Sequence, residues 1–132
     1  MNYLADTDWV VDYLKGRAPA VAFINGLLRQ GLAISAITFA EVYEGIYYGG
    51  KRANDEQVLE RFLRSVPILD VTREVARQFA MTRGALRQQR VTVAPPDLPI
   101  AATAIHHDLI LATRNVRHYD RIHGLKLLIP SS

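Results

Sequence analysis

An alternation restricts this chain more than any other feature. Short, largely apolar runs at residues 2–5, 32–36, 66–70, 109–113 and 125–129 are separated by longer stretches with helical periodicity. A run of four or five residues suits a strand and is too short for a buried helix. Consecutive rather than alternate apolar positions mark strands covered on both faces. The covers are helices expected near 8–14, 18–29, 38–48, 53–65, 97–106 and 116–121, with one long arginine-bearing helix within 70–90. The pattern predicts an α/β fold: a three-layer α/β/α sandwich with a mostly parallel central sheet of about five strands and right-handed crossovers. With 132 residues, no repeat and no linker, residues 1–132 read as a single domain.

Composition removes several classes of chemistry. The chain has no cysteine, which excludes a disulfide scaffold and thiolate catalysis or ligation, and it fits a cytoplasmic protein. No signal peptide is expected, and no apolar stretch is long enough to cross a membrane; "LPIAATAI" stops at His106, His107 and Asp108. The net charge of +3 is modest, but its distribution is uneven. Arg73, Arg77, Arg83, Arg87 and Arg90 fall within an arc of roughly 140° on a helix, beside Val71, Val75, Phe79 and Leu86. That pattern fits a solvated helix face over a core stripe, and equally a positive rail for nucleic-acid phosphates.

In parallel α/β sheets, ligands bind beyond the carboxyl ends of the strands. The polar residues expected at that edge are Asp6, Thr7 and Asp8 after the first strand, and Ser35, Thr38 and Glu41 after the second. Asp97 begins the helix before the fourth strand, and Thr113, Arg114 and Asn115 follow that strand. Each acid has a local explanation. Asp6 and Asp8 suit a helix N-terminus, Thr38-x-x-Glu41 spells a capping box, and Asp97 after Pro95-Pro96 reads as an N-cap. Capping does not require three carboxylates from distant segments to share one rim. Together they would repel unless protonated or neutralised by a cation, and oxygen-only donors suit Mg²⁺ or Mn²⁺. Gly45, one turn beyond Glu41, leaves space beside that carboxylate. His106 and His107, at the far end of their helix, read as surface residues, and Trp9 reads as core.

The blocks "LADTDWVVDYL", "ISAITFAEVYEGI", "DLPIAATAI" and "LILATRNVRHYDRIHGLKLL", in this order and spacing, resemble PIN-domain ribonucleases, specifically the VapC-type toxins of type II toxin–antitoxin systems. The resemblance implies a PIN-like fold and an Mg²⁺-dependent endoribonuclease, Mn²⁺ substituting, with RNA as substrate. It also implies a VapB-type antitoxin as inhibitory partner and a homodimer. Carried over, Asp6, Glu41 and Asp97 match the catalytic acids. Asp6 and Asp97 would hold the metal, with Glu41 acting directly or through water. Thr7, Asp8, Thr38, Thr113 and Asn115 line the pocket. The reaction implied is in-line attack of an activated water on phosphorus, leaving a 5′-phosphate and a 3′-hydroxyl. Arg73, Arg77, Arg83, Arg87 and Arg114 are candidate RNA contacts. Asn115 stands where many relatives carry a fourth acid, and His118 stands where an acid often precedes the aromatic, which puts a second protein-held metal in question.

Two other readings compete. Asp6-x-Asp8 after an apolar run also resembles the first motif of haloacid-dehalogenase-like phosphatases, with Asp6 as nucleophile. That family's later lysine and acid pair are missing, since the lysines are Lys15, Lys51 and Lys126 and the fourth strand ends in Thr113-Arg114-Asn115. The third reading is a catalytically inactive PIN-like binding module.

Overall fold

Leu4 and Ala5 are consecutive and fully buried, yet they belong to opposite sides of the sheet. The computed structural model, which describes residues 1–93 and 95–130, shows the same at every central strand. Leu32 and Ile34 join one core and Ala33 the other; Ala112 joins the first and Leu111 the second. A period of two with both faces apolar is what a strand between two helical layers requires.

The strands are β1 (Tyr3–Ala5), β2 (Leu32–Ser35), β3 (Ile68–Leu69), β4 (Ile110–Ala112) and β5 (Lys126–Leu128). They form one sheet in the order β3-β2-β1-β4-β5, and all four pairings are parallel. The helices are α1 (Thr7–Leu14), α2 (Ala18–Leu28), α3 (Ala36–Tyr47), α4 (Arg52–Leu63), α5 (Arg73–Gln88), α6 (Asp97–His106) and α7 (Val116–Tyr119). Trp9, Ile24, Val42 and Phe62, from α1 to α4, cover one face. Leu86, Leu98, Ile100 and Tyr119, from α5 to α7, cover the other. The three-layer α/β/α sandwich and the five-stranded parallel sheet are therefore as the sequence predicts.

The elements are tighter than their apolar runs. Of residues 66–70 only Ile68 and Leu69 pair, and Val71, expected on the core side of the arginine helix, lies before α5 and is exposed. Arg90 also lies beyond α5, at φ +59°. Gly31 turns the chain into β2 at φ +94°, and a Cβ there would come 2.9 Å from Met1 Cα. Its carbonyl accepts from the Asn2 and Tyr3 amides and so starts the β1–β2 register. Only glycine meets both demands. Among the described residues, no helix is long and apolar enough to cross a membrane.

The strand order fixes where a site can form. From β1 the chain moves outward through β2 and β3, then returns to the other side of β1 for β4 and β5. The connections leaving β1 and β4 diverge, and a crevice opens at their carboxyl ends. Asp6 and Thr113 are the first residues past those two strands. Leu111, fully buried at the centre, tests the packing that carries them. Leu111→Ala is expected to cost about 2–5 kcal/mol in urea denaturation, whereas Met81→Ala, at a position 60 % exposed, should stay within about 0.5 kcal/mol.

Candidate active site

Asp6 is the N-cap of α1, yet only 4 % of it is exposed. Its Oδ1 accepts from the Thr7 amide at 2.9 Å and faces the Tyr119 hydroxyl at 3.1 Å; its Oδ2 accepts from the Thr113 hydroxyl at 2.7 Å. Burial pushes this carboxyl above the usual aspartate range. The hydrogen bonds from Thr113, Thr7 and Tyr119 pull it back, and the neighbouring Asp97 charge adds to the rise.

Asp97 reaches the same hydroxyl from α6: Tyr119 Oη lies 3.1 Å from Asp97 Oδ1. A phenol has one proton, so it serves one of the two carboxylates at a time. Burial and both aspartates hold the Tyr119 hydroxyl in its neutral form, far above its ordinary pKa. Asp97 Oδ2 is buried without a hydrogen bond. The His118 imidazole stands 2.8 Å away through Nδ1. Asp97 does not cap α6, as its sequence context predicted; Pro96 occupies that position and Asp97 is the first helical residue. Its carboxylate is therefore free to face Asp6.

Glu41 enters by another route. The expected Thr38–Glu41 capping box does not form, because α3 starts two residues earlier. Ser35 is the N-cap, its hydroxyl accepting from the Thr38 amide at 3.0 Å. Glu41 instead accepts from the Thr7 hydroxyl at 2.7 Å, and Thr7 Oγ1 lies 3.0 Å from Thr38 Oγ1. A carboxylate only accepts, so Thr7 donates to Glu41 and Thr38 donates to Thr7, with Ser35 donating to Thr38 at 3.5 Å. Beside Glu41 the Gly45 position is open, and a groove of about 220 Å³ runs along Val11, Leu14, Gly45 and Val58.

Thr113 does two jobs: it donates to Asp6 and accepts from the Asn115 amide at 2.9 Å. Asn115 Nδ2 donates to Asp8 Oδ2 at 3.0 Å. Asp8 is thus the carboxylate opposite Asn115, at the exposed lip of the crevice rather than beside Asp6. Arg114 is turned away along α1, and Arg73, Arg77, Arg83 and Arg87 form the exposed side of α5 with no ion pair among the described residues. The structure brings Asp6 and Asp97 together, joins Glu41 through Thr7, and leaves the α5 arginines outside this network. Tyr119 is the member that sequence reasoning passed over. The available signal was a tyrosine one residue beyond His118, in the turn that follows β4.

The donor set fits a hard divalent cation. Two carboxylates compete for one phenol proton, and apart from the His118 imidazole beside Asp97 the groups present offer oxygen. Among the described residues no three His, Cys, Asp or Glu side chains form a metal-binding group; Glu41 is joined to Asp6 through Thr7, whose hydroxyl donates to Glu41 and whose amide donates to Asp6. A nucleophilic role suits Asp6 poorly, because both its oxygens are committed and it is buried. Because burial raises the Asp6 pKa above its unfolded value, the folded state binds more protons, and metal-free stability falls as pH rises through that window. Tyr119→Phe removes the shared donor. It is expected to cost about 1–3 kcal/mol in EDTA at neutral pH, and less at acid pH, where the raised Asp6 carboxyl takes up a proton; urea melts at neutral and acid pH measure this.

The chain matches the sequence model of the PIN domain over residues 3–124. It is 29% identical over 126 residues to Ribonuclease VapC2 of Haemophilus influenzae, covering 96% of each chain. It is 30% identical over 130 residues to Ribonuclease VapC2 of Rickettsia felis, again covering 96% of each. Among solved structures, VapBC2 from Rickettsia felis bound to a DNA fragment from its promoter superposes with a TM-score of 0.89. That match has 26% identity and covers 99% of this chain and 100% of that one. The crevice between β1 and β4, the acids around it and the likeness over nearly the whole length agree: the chain belongs to the PIN-domain family.

Proposed function

We propose that this protein is the toxin of a type II toxin–antitoxin pair, a ribonuclease that hydrolyses RNA phosphodiester bonds with a divalent cation held by Asp6 and Asp97. The observation that carries the chemistry is the Tyr119 hydroxyl shared by the buried Asp6 carboxylate and the partly buried Asp97 carboxylate. The relatives named ribonucleases support the reaction class, and the VapBC complex supports a VapB-type antitoxin as partner. The phosphatase and inactive-module readings are not favoured by these likenesses.

Asp6 and Asp97 would hold Mg²⁺, with Mn²⁺ as a substitute, and Glu41 would reach it directly or through water. When bound, the cation activates water and stabilises charge on phosphoryl oxygens. The protein's own groups set the stage. Thr113 and the Thr7 amide hold the Asp6 carboxylate in one orientation, with its oxygens already desolvated. Tyr119 keeps its proton and fixes the spacing of the aspartates. The hydroxyl chain from Ser35 holds Glu41 at the edge, where its carboxylate can accept a proton from an attacking water. Asp8 and Asn115 form the lip over which the strand enters.

Asp6→Asn and Asp97→Asn are each expected to lower RNA cleavage by about 100-fold or more, and EDTA to abolish it. Cleavage of labelled RNA at wild-type rate by either variant would contradict the assignment. Mg²⁺ should raise the melting temperature, and more at pH 8 than at pH 5, because protons compete with the cation for the raised Asp6 carboxyl. Co-expression with a cognate VapB-type antitoxin should restore growth that the toxin alone arrests.

A further inference from the structure

Asp8 and Asp12 stand one turn apart on α1, about 6 Å along its axis. Each is met by one residue of the segment after β4: Asn115 donates to Asp8, and Arg114 donates to Asp12. The second contact is unusual in its company. Asp12 Oδ2 accepts from Arg114 Nη2 at 2.9 Å, while Asp12 Oδ1 accepts from Arg17 Nη1 at 2.8 Å. Arg17 comes from the turn between α1 and α2, and Arg114 from the far side of the sheet's centre. One carboxylate thus brings two guanidinium groups from distant segments to a single spot.

The charge count does not close. Two cations and one anion leave a net +1, and the cations are the exposed members: the side chains of Arg17 and Arg114 are 61% and 40% exposed, that of Asp12 only 15%. Arg114 is further fixed from beneath, with its guanidinium carbon 4.4 Å from the centre of the Trp9 ring, which itself stacks on Phe23 at 4.3 Å. A guanidinium lying on an indole and tied by one nitrogen keeps its remaining N–H groups outward in a fixed plane. Among the described residues, neither arginine has a further carboxylate partner. For surface stability alone such a pair contributes little. For an incoming tetrahedral anion it is a preset fork.

We infer that Arg17 and Arg114, spaced by Asp12 and with Arg114 laid on Trp9, form a phosphate clamp for the RNA backbone next to the reaction centre. It rests on the ribonuclease reading above and adds to it a subsite with a position. Arg114 lies between Thr113, which binds Asp6, and Asn115, which binds Asp8, so a phosphate on the fork belongs to a nucleotide leaving the crevice along α1. Asp12 acts through the arginines and touches no substrate; it is a positioning residue. The neighbouring guanidinium groups hold its carboxyl below the usual range, so it stays charged throughout the working pH range.

The test uses full-length protein. Binding of a labelled single-stranded RNA oligonucleotide is followed by anisotropy in EDTA between about 50 and 200 mM salt, and cleavage kinetics are measured with Mg²⁺. Arg17→Gln and Arg114→Gln should each raise KM about tenfold with kcat nearly unchanged, and each should flatten the slope of log K against log salt by about 0.7. Arg114→Lys should restore part of the slope without the full KM, because a point charge replaces a planar fork. Asp12→Asn is the sharpest arm. It removes a negative charge, so charge alone would tighten RNA binding; loss of the positioned fork instead raises KM. Melting curves accompany every variant. Variants with lower melting temperature but unchanged slope and KM would overturn the clamp and leave a structural ion pair. An Asp12→Asn protein that binds RNA more tightly would overturn the positioning role. If wild-type protein neither binds nor cuts RNA, the ribonuclease reading fails and the clamp falls with it.

Discussion

One phenol proton stands between two carboxylates, one buried and one partly buried, and much of the site is arranged around that shortage. Tyr119 cannot satisfy Asp6 and Asp97 at once, and Asp6 is buried away from water. A fold that only needed helix caps would not place them there, because buried like charges cost stability. The tension is held by the rest of the structure: Thr113 and the Thr7 amide fix one acid, and α6 packed against α5 fixes the other. The proposed cation, if bound, would offset that cost.

The topology delivers these groups with little local machinery. β1 and β4 are neighbours whose connections leave in opposite directions, so the residues immediately after them face one crevice. Asp6 and Thr113 need only be first past the strand. Helix α6 begins at the same edge, which is why Asp97 is its first residue. Serine and threonine hydroxyls then extend the centre to Glu41 on α3, so the third acid takes part without adding its full repulsion to the first two.

Much of the fold was legible in the apolar runs, because a strand buried on both faces writes a short continuous signature. Strand ends were less legible: residues 66–70 are all compatible with a strand, but only Ile68 and Leu69 are paired with β2, Pro67 adding just a carbonyl that accepts from the Ile34 amide. At the site, Asp6, Glu41 and Asp97 stood out because carboxylates at strand ends are conspicuous. Tyr119 did not, since an aromatic in a turn is usually core, and its role comes from a hydroxyl whose partners lie 113 and 22 residues away. Asp6 does cap α1, but the capping readings of Thr38-x-x-Glu41 and Asp97 failed for a related reason. Ser35 and Pro96 take the cap positions, and nothing local in Thr38-x-x-Glu41 or Pro-Pro-Asp97 reveals that the side chains are spent elsewhere. Asp8 illustrates the same limit, since its partner Asn115 is 107 residues distant.

The central claim is that Asp6 and Asp97 together hold one divalent cation. Mn²⁺ binding to the metal-free protein, followed by isothermal titration calorimetry, tests it most directly. The account predicts one site per chain in the wild type, lost in both Asp6→Asn and Asp97→Asn and retained, though weakened, in Glu41→Gln. Wild-type protein that binds no Mn²⁺, or an Asp97→Asn variant that binds it as tightly as wild type, would contradict it.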